Sequence, residues 1–201
     1  MSPGPTAARG RRRPGLHDPH VWFDVGLWAL TPACVAEALA AVDPERAATF
    51  RERAAATRAE FGALDNEVRD RLATIPDEQR VLVTAHDAFA YFGRAYGLEV
   101  RGLLGISTVA EAGAADVQRL ADFIAVRRLP AVFVESSVAP RSIQALTEAV
   151  AARGHRVVVG GSLYSDALGS PGTPAASYVG AVRENTATIA DALGAAQETT
   201  P

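Results

Sequence analysis

The chain has 201 residues, 48% of them apolar and 21% charged, and a net charge of −3. That is the balance of a globular protein with ample material for a core, so disorder as the main state is excluded. The lone Cys34 excludes a disulfide scaffold and a cysteine-rich zinc fold. Every basic residue is Arg, and the slight acidic excess gives no global attraction to nucleic acid.

Residues 1–16 are rich in Pro, Gly and Arg without periodicity and are expected to be a loose tail. No uninterrupted apolar stretch reaches the roughly 20 residues of a membrane span, so no membrane insertion is expected. Arg11, Arg12 and Arg13, the apolar stretch 21–30 and Cys34 imitate a lipoprotein signal. Asp24 interrupts the stretch, Pro32 sits two before the cysteine, and His17, Asp18 and His20 intervene. The sequence as given is therefore expected to carry no export signal.

Thr31 is placed to cap a helix, with Pro32 at its first position, running to about residue 41. Asp43 and Pro44 open a second helix in the same way. Phe50, Ala54, Thr57, Phe61, Leu64, Val68, Leu72 and Ile75 recur along it at steps of three and four, and Pro76 ends it. Some 30 residues at about 1.5 Å each make a rod of roughly 45 Å.

The pattern then alternates. Strands are predicted at 81–85, 100–104, 131–134 and 156–159, the last leading into Gly160 and Gly161. Helices are predicted at 87–96, 113–128 and 140–153, and from Thr173-Pro174 onward with Tyr178, Val182, Ile189 and Leu193 on one face. Short apolar strands between helices predict an α/β fold, with a four-stranded parallel sheet covered on both faces.

Open parallel sheets bind ligands beyond the carboxyl ends of their strands. Here the first strand delivers His86, the third Glu135 with Ser136 and Ser137, and the loop after the fourth delivers Ser165 and Asp166. An imidazole and two carboxylates converging on one rim suit a divalent cation of the zinc or manganese kind. Taken singly, each has a plainer reading: His86 as a polar rim residue, Glu135 as a helix cap, Asp166 as a turn residue. Ahead of the rod, His17 and His20 lie three apart. The apolar Val21, Trp22 and Phe23 would bury that loop and fix His20 better than His17.

Four blocks in order carry a family resemblance. They are Asp18-Pro19-His20-Val21-Trp22-Phe23-Asp24; Val83-Thr84-Ala85-His86-Asp87-Ala88-Phe89-Ala90-Tyr91-Phe92; Phe133-Val134-Glu135-Ser136-Ser137; and Leu163-Tyr164-Ser165-Asp166-Ala167-Leu168-Gly169. Over residues 17 to about 194 the sequence resembles the metal-binding solute-binding proteins of zinc and manganese ABC transporters, the cluster that includes treponemal and pneumococcal surface antigens. The resemblance implies two α/β lobes joined by one rigid helix, with the metal between them. It implies His20, His86 and Asp166 as metal ligands, and Glu135 as a residue that orients ligands or lines the cleft.

It further implies a domain plan: a tail at 1–16, a remnant of the N-terminal lobe at 17–43, the linking helix at 44–76, a C-terminal metal-binding lobe at 77–195 and a tail at 196–201. On this plan the N-terminal lobe, with its own histidine ligand, is largely missing, and His17 is a candidate substitute. The implied function is capture of zinc, or less favourably manganese, as a transported ligand outside the cytoplasm (periplasm or cell-surface lipoprotein), and its delivery to a membrane permease. No catalysis is implied. Two other readings stay open: a zinc-dependent hydrolase with Glu135 as general base, and a non-binding or adhesin-like remnant.

Overall fold

The computed structural model describes residues 17–106, 113–139 and 141–194; the tails expected at 1–16 and 196–201 lie outside the described residues. Four strands run parallel: β1 (Val81–His86), β2 (Glu99–Leu104), β3 (Ala131–Glu135) and β4 (Val158–Leu163). Helices α1 (Val25–Trp28), α2 (Thr31–Val42) and α3 (Ala47–Leu72) precede them. Helices α4 (Ala90–Tyr96), α5 (Ala114–Arg127) and α6 (Arg141–Ala151) alternate with the strands, and α7 (Tyr178–Gly194) follows β4. The α/β class is as expected. The hydrogen bonding differs from a single four-stranded sheet: β1 pairs with β2 and β3 with β4, with β1 and β3 side by side at the centre. The two pairs are bridged at their carboxyl ends by a side chain, because Glu135 Oε1 accepts the backbone N–H of His86 at 2.8 Å.

Alternate residues of a strand point to opposite faces. Leu82 of β1 and Phe133 of β3 enter one apolar layer; Val81, Val83 and Val132 enter the other. Leu64, Val68, Phe92 and Ile189 from α3, α4 and α7 close the first layer. Ile124, Ile143 and Leu146 from α5 and α6 close the second. Both central strands are thus buried on both faces, which is why β1 reads as a continuous apolar run.

The rod is shorter than the sequence predicts. After Asp43 the chain first makes a tighter 3-10 turn at Pro44–Arg46, in which Asp43 Oδ1 accepts the Arg46 N–H at 3.2 Å. The 26 residues of α3 then span about 39 Å. Phe61, Leu64, Val68, Leu72 and Ile75 of the predicted stripe are buried; Phe50, Ala54 and Thr57 line a groove against α2. Arg71 pairs with Asp191, and Arg183 with Glu67, tying α3 to α7. Arg80 donates to the carbonyls of Leu72 (2.7 Å) and Tyr96 (2.6 Å), so one cation closes the ends of α3 and α4.

Thr31 does not cap α2; its hydroxyl donates back to the Trp28 carbonyl at 2.8 Å, and Leu30 occupies the cap position. The window Val25–Val42 has a mean hydropathy of 1.7, enough by length and composition for a membrane span. Here it is two helices, with α2 laid along α3 and Val35, Leu39 and Val42 left exposed.

The fourth strand runs through the glycine pair rather than ending at it. A Cβ on Gly160 would sit 2.6 Å from Ala192 Cβ and 2.9 Å from Phe133 Cε1, and one on Gly161 would sit 2.5 Å from Thr188 Cγ2. The pair marks the close approach of α7 to β4, not a turn. Asp166 therefore stands three residues past the strand end at Leu163, in the loop that precedes the 3-10 turn Pro174–Ala176.

Candidate metal centre

The chain leaves β1 toward β2 on one side and β3 toward β4 on the other, so the strand order reverses between β1 and β3. A crevice at such a reversal, beyond the carboxyl ends of the strands, is the usual ligand site of this architecture. His86 is the last residue of β1 and Glu135 the last of β3. Asp166 comes from the loop after β4.

His20 arrives from outside the strands. Asp18 Oδ1 accepts the His20 backbone N–H at 3.0 Å, a local turn of the kind aspartate makes with the backbone two residues on. Val21–Phe23 then forms a 3-10 turn. Phe23 is buried and stacks on Phe89 with ring centroids 4.3 Å apart, and the Trp22 carbonyl accepts the Tyr178 hydroxyl at 2.8 Å. The apolar residues after the histidine thus pin the loop to the lobe, and His20 is 3% exposed.

These placements bring His20, His86 and Asp166 together, each offering one ligand atom, all within 4.8 Å of one another. His20 Nε2 lies 3.4 Å from Asp166 Oδ1, and His86 Nε2 lies 3.4 Å from Asp166 Oδ2. The imidazoles lie edge to face, with centroids 5.4 Å apart. His17 is exposed and outside this group.

Each imidazole has a carboxylate at its rear. Asp18 Oδ1 is 2.6 Å from His20 Nδ1, and Glu135 Oε2 is 2.6 Å from His86 Nδ1. A proton on Nδ1 facing a carboxylate leaves the lone pair on Nε2, the atom that faces the cluster. Nδ1 of His86 and Glu135 Oε2, though 2.6 Å apart, do not meet at hydrogen-bond angles, and His86 Nε2 is buried without a hydrogen-bond partner among the described residues. A buried acceptor left unpaired costs about 1–3 kcal/mol, which a cation at that lone pair would offset. Burial acts to lower the pKa of His86, but contact with Glu135 and attraction to Glu135, Asp166 and Asp87 outweigh it, and the net shift is upward from 6.5.

Asp166 is the open corner, with its side chain 38% exposed against 4% and 0% for the two histidines. A cavity of about 270 Å³, lined by Trp22, Trp28, Leu168 and Tyr178, lies on its side of the cluster. Ser137 Oγ is 3.3 Å from Asp166 Oδ2 and 2.7 Å from Ser165 Oγ.

Glu135 stands behind His86 and outside the three-residue cluster. Two groups have contacts here that reading the sequence did not assign. Asp18 supports His20, and its signal was the Asp-x-His spacing at which a carboxylate turns back on its own backbone. Ser137 and Ser165 flank Asp166, and nothing in one sequence distinguishes them from ordinary loop serines.

The sequence matches the family model for the periplasmic zinc-uptake complex component A over residues 4–192. It is 52% identical over 176 residues to the zinc-binding protein TroA of Treponema pallidum, covering 88% of this chain and 57% of that protein. It is 46% identical over 176 residues to the manganese-binding lipoprotein MntA of Bacillus subtilis, covering 88% of this chain and 58% of that protein. The solved structure of the periplasmic zinc binding protein TroA superposes with a TM-score of 0.87 at 49% identity, covering 94% of this chain and 68% of that one. The chain spans less than two thirds of the length of the two curated relatives.

Proposed function

The chain belongs to the zinc-uptake complex component A family of metal-binding transport proteins, and from that membership we propose that it captures a divalent cation, zinc, outside the cytoplasmic membrane for delivery to an ABC transporter permease. His20 Nε2, His86 Nε2 and Asp166 are the ligands; Asp18 and Glu135 orient the imidazoles. The observation that carries this is the pair of 3.4 Å separations between imidazole nitrogens and Asp166 oxygens. Ligands about 2.05 Å from a tetrahedral ion stand about 3.35 Å apart, and each imidazole nitrogen stands 3.4 Å from one oxygen of Asp166, though not from the same one. A larger octahedral ion demands more oxygen ligands than this set supplies. The two relatives divide between zinc and manganese by name, so the choice of zinc rests on the two imidazoles. Three protein ligands leave a fourth tetrahedral corner for water or a further side chain.

Capture without chemistry is the better reading of Glu135 as well. Oε1 takes the His86 backbone N–H and Oε2 faces Nδ1, the ring nitrogen opposite the one that faces the cluster. That argues against the hydrolase alternative.

Thermal unfolding of the purified chain with and without zinc tests the reading. A ligand that binds only the folded state at about 100 times its Kd adds about 2.7 kcal/mol. A raised Tm, lost in His86→Ala and weaker with manganese, is expected. An unchanged Tm would refute metal capture, and stronger retention of manganese in competition would refute the choice of zinc.

A further inference from the structure

We propose that Ser137, backed by Ser165, is a positioning residue that sets how many oxygens Asp166 offers the ion, and thereby tunes the preference for zinc over manganese. The proposal rests on the reading of His20, His86 and Asp166 as the ligand set.

The two oxygens of Asp166 are used differently by their surroundings. Oδ1 faces His20 Nε2 at 3.4 Å, while Oδ2 faces His86 Nε2 at 3.4 Å and has Ser137 Oγ within reach at 3.3 Å. An ion between the imidazoles can meet one oxygen or both. The hydroxyl inventory decides which is favoured. An ionised carboxylate only accepts, so Ser137 is the donor in its 3.3 Å contact with Oδ2. Either hydroxyl can donate in the 2.7 Å contact between Ser137 Oγ and Ser165 Oγ; with the Ser137 proton on Oδ2, Ser165 is the donor. Ser165 is 6% exposed and sits next to Asp166 in the chain, whereas Ser137 comes from the turn after β3. The relay Ser165 to Ser137 to Oδ2 therefore crosses between two loops and holds the carboxylate at a fixed rotation.

A hydrogen bond accepted by Oδ2 draws electron density away from that oxygen and leaves Oδ1 as the better ligand. Single-oxygen coordination keeps the coordination number low, as four-coordinate zinc prefers. Without the bond, Oδ2 is free to chelate, and a second hard oxygen favours the higher coordination number of manganese. Ser137 itself is exposed, so its replacement leaves the core untouched.

The test compares the chain with its Ser137→Ala and Ser137→Thr variants. Zinc and manganese are titrated in competition, and cobalt(II) is bound as a spectroscopic reporter whose visible bands are intense in tetrahedral sites and weak in higher coordination. Partners that orient a ligand typically change affinity 10- to 100-fold when removed. Ser137→Ala should lower the zinc-to-manganese affinity ratio about tenfold, at the low end of that range, and weaken the cobalt bands; Ser137→Thr, which keeps the hydroxyl, should restore both. A ratio and cobalt spectrum unmoved in Ser137→Ala would overturn the positioning role. His86→Ala separates this from failure of the site: if it leaves zinc binding intact, the ligand reading fails and the proposal with it. If it abolishes binding while Ser137→Ala moves nothing, only the proposal fails.

Discussion

Replacing Glu135 by glutamine is the most informative perturbation of the centre, because it removes a charge while keeping the shape. Glu135 is 3% exposed, and both its oxygens face His86: Oε1 accepts the His86 backbone N–H at 2.8 Å, while Oε2 lies 2.6 Å from His86 Nδ1 in an ion-pair contact that is off the angle of a hydrogen bond. An amide has one acceptor and one donor end. The backbone N–H is a fixed donor, so it claims the amide oxygen and leaves the NH2 against Nδ1. A protonated Nδ1 there would set two donors face to face. The ring relieves this by moving its proton to Nε2, the atom that must present a lone pair to the ion. Glu135→Gln should therefore weaken zinc binding toward the upper end of the 10- to 100-fold range, about 2–2.7 kcal/mol. Competition against a chelator of known affinity at neutral pH measures this, with circular dichroism as the check on folding. A folded variant that binds zinc within threefold of the parent would refute the tautomer argument.

Asp18 provides the contrast, because one oxygen, Oδ1, serves both the His20 backbone N–H (3.0 Å) and Nδ1 (2.6 Å). Asp18→Asn keeps that acceptor and should reduce zinc affinity less than Glu135→Gln, whereas Asp18→Ala loses both contacts and should reduce it more than Asp18→Asn; the same titration ranks the three. Gly160→Ala should destabilise the fold by about 1–3 kcal/mol through overpacking against Ala192 and Phe133, while the exposed Ser162→Ala on the same strand should stay within about 0.5 kcal/mol; urea unfolding distinguishes them. Alkaline stability follows from two tyrosines. Burial and then Asp65 raise the pKa of Tyr96, and burial, Asp24 and Asp65 raise that of Tyr178. Above about pH 10 the unfolded chain releases phenolic protons that the folded chain keeps, so stability, complete below that pH, falls by about 1.4 kcal/mol per pH unit per tyrosine. Tyr96→Phe should flatten the fall in a pH series of urea unfolding curves, and an unchanged slope would contradict the assignment.

Much of the fold is legible in one sequence because local periodicity and burial report the same fact. The stripe from Phe61 to Ile75 names the buried face of α3, and the apolar run of β1 names a strand covered on both sides. Legibility fails where a distant neighbour decides. Gly160 and Gly161 read as punctuation, yet they lie inside β4 because α7 leaves no room for a Cβ. Thr31 has the residue type of a cap, but the preceding short helix offers its hydroxyl a nearer carbonyl. The strands read as one sheet, yet their hydrogen bonds divide into two pairs, which no periodicity reveals.

The same division runs through the centre. Residue types and strand ends put His86, Glu135 and Asp166 on one rim, and the family resemblance implied His20, His86 and Asp166 as the ligands, since strand ends are visible as changes of pattern. Which nitrogen of each ring faces the cluster, the separation of His20 and His86 from Asp166, and the hydroxyls beside the carboxylate were decided only by tertiary structure. Those quantities depend on the relative placement of segments as much as 146 positions apart, from His20 to Asp166. That placement is set by packing between layers, for which a single chain read end to end carries no local signal.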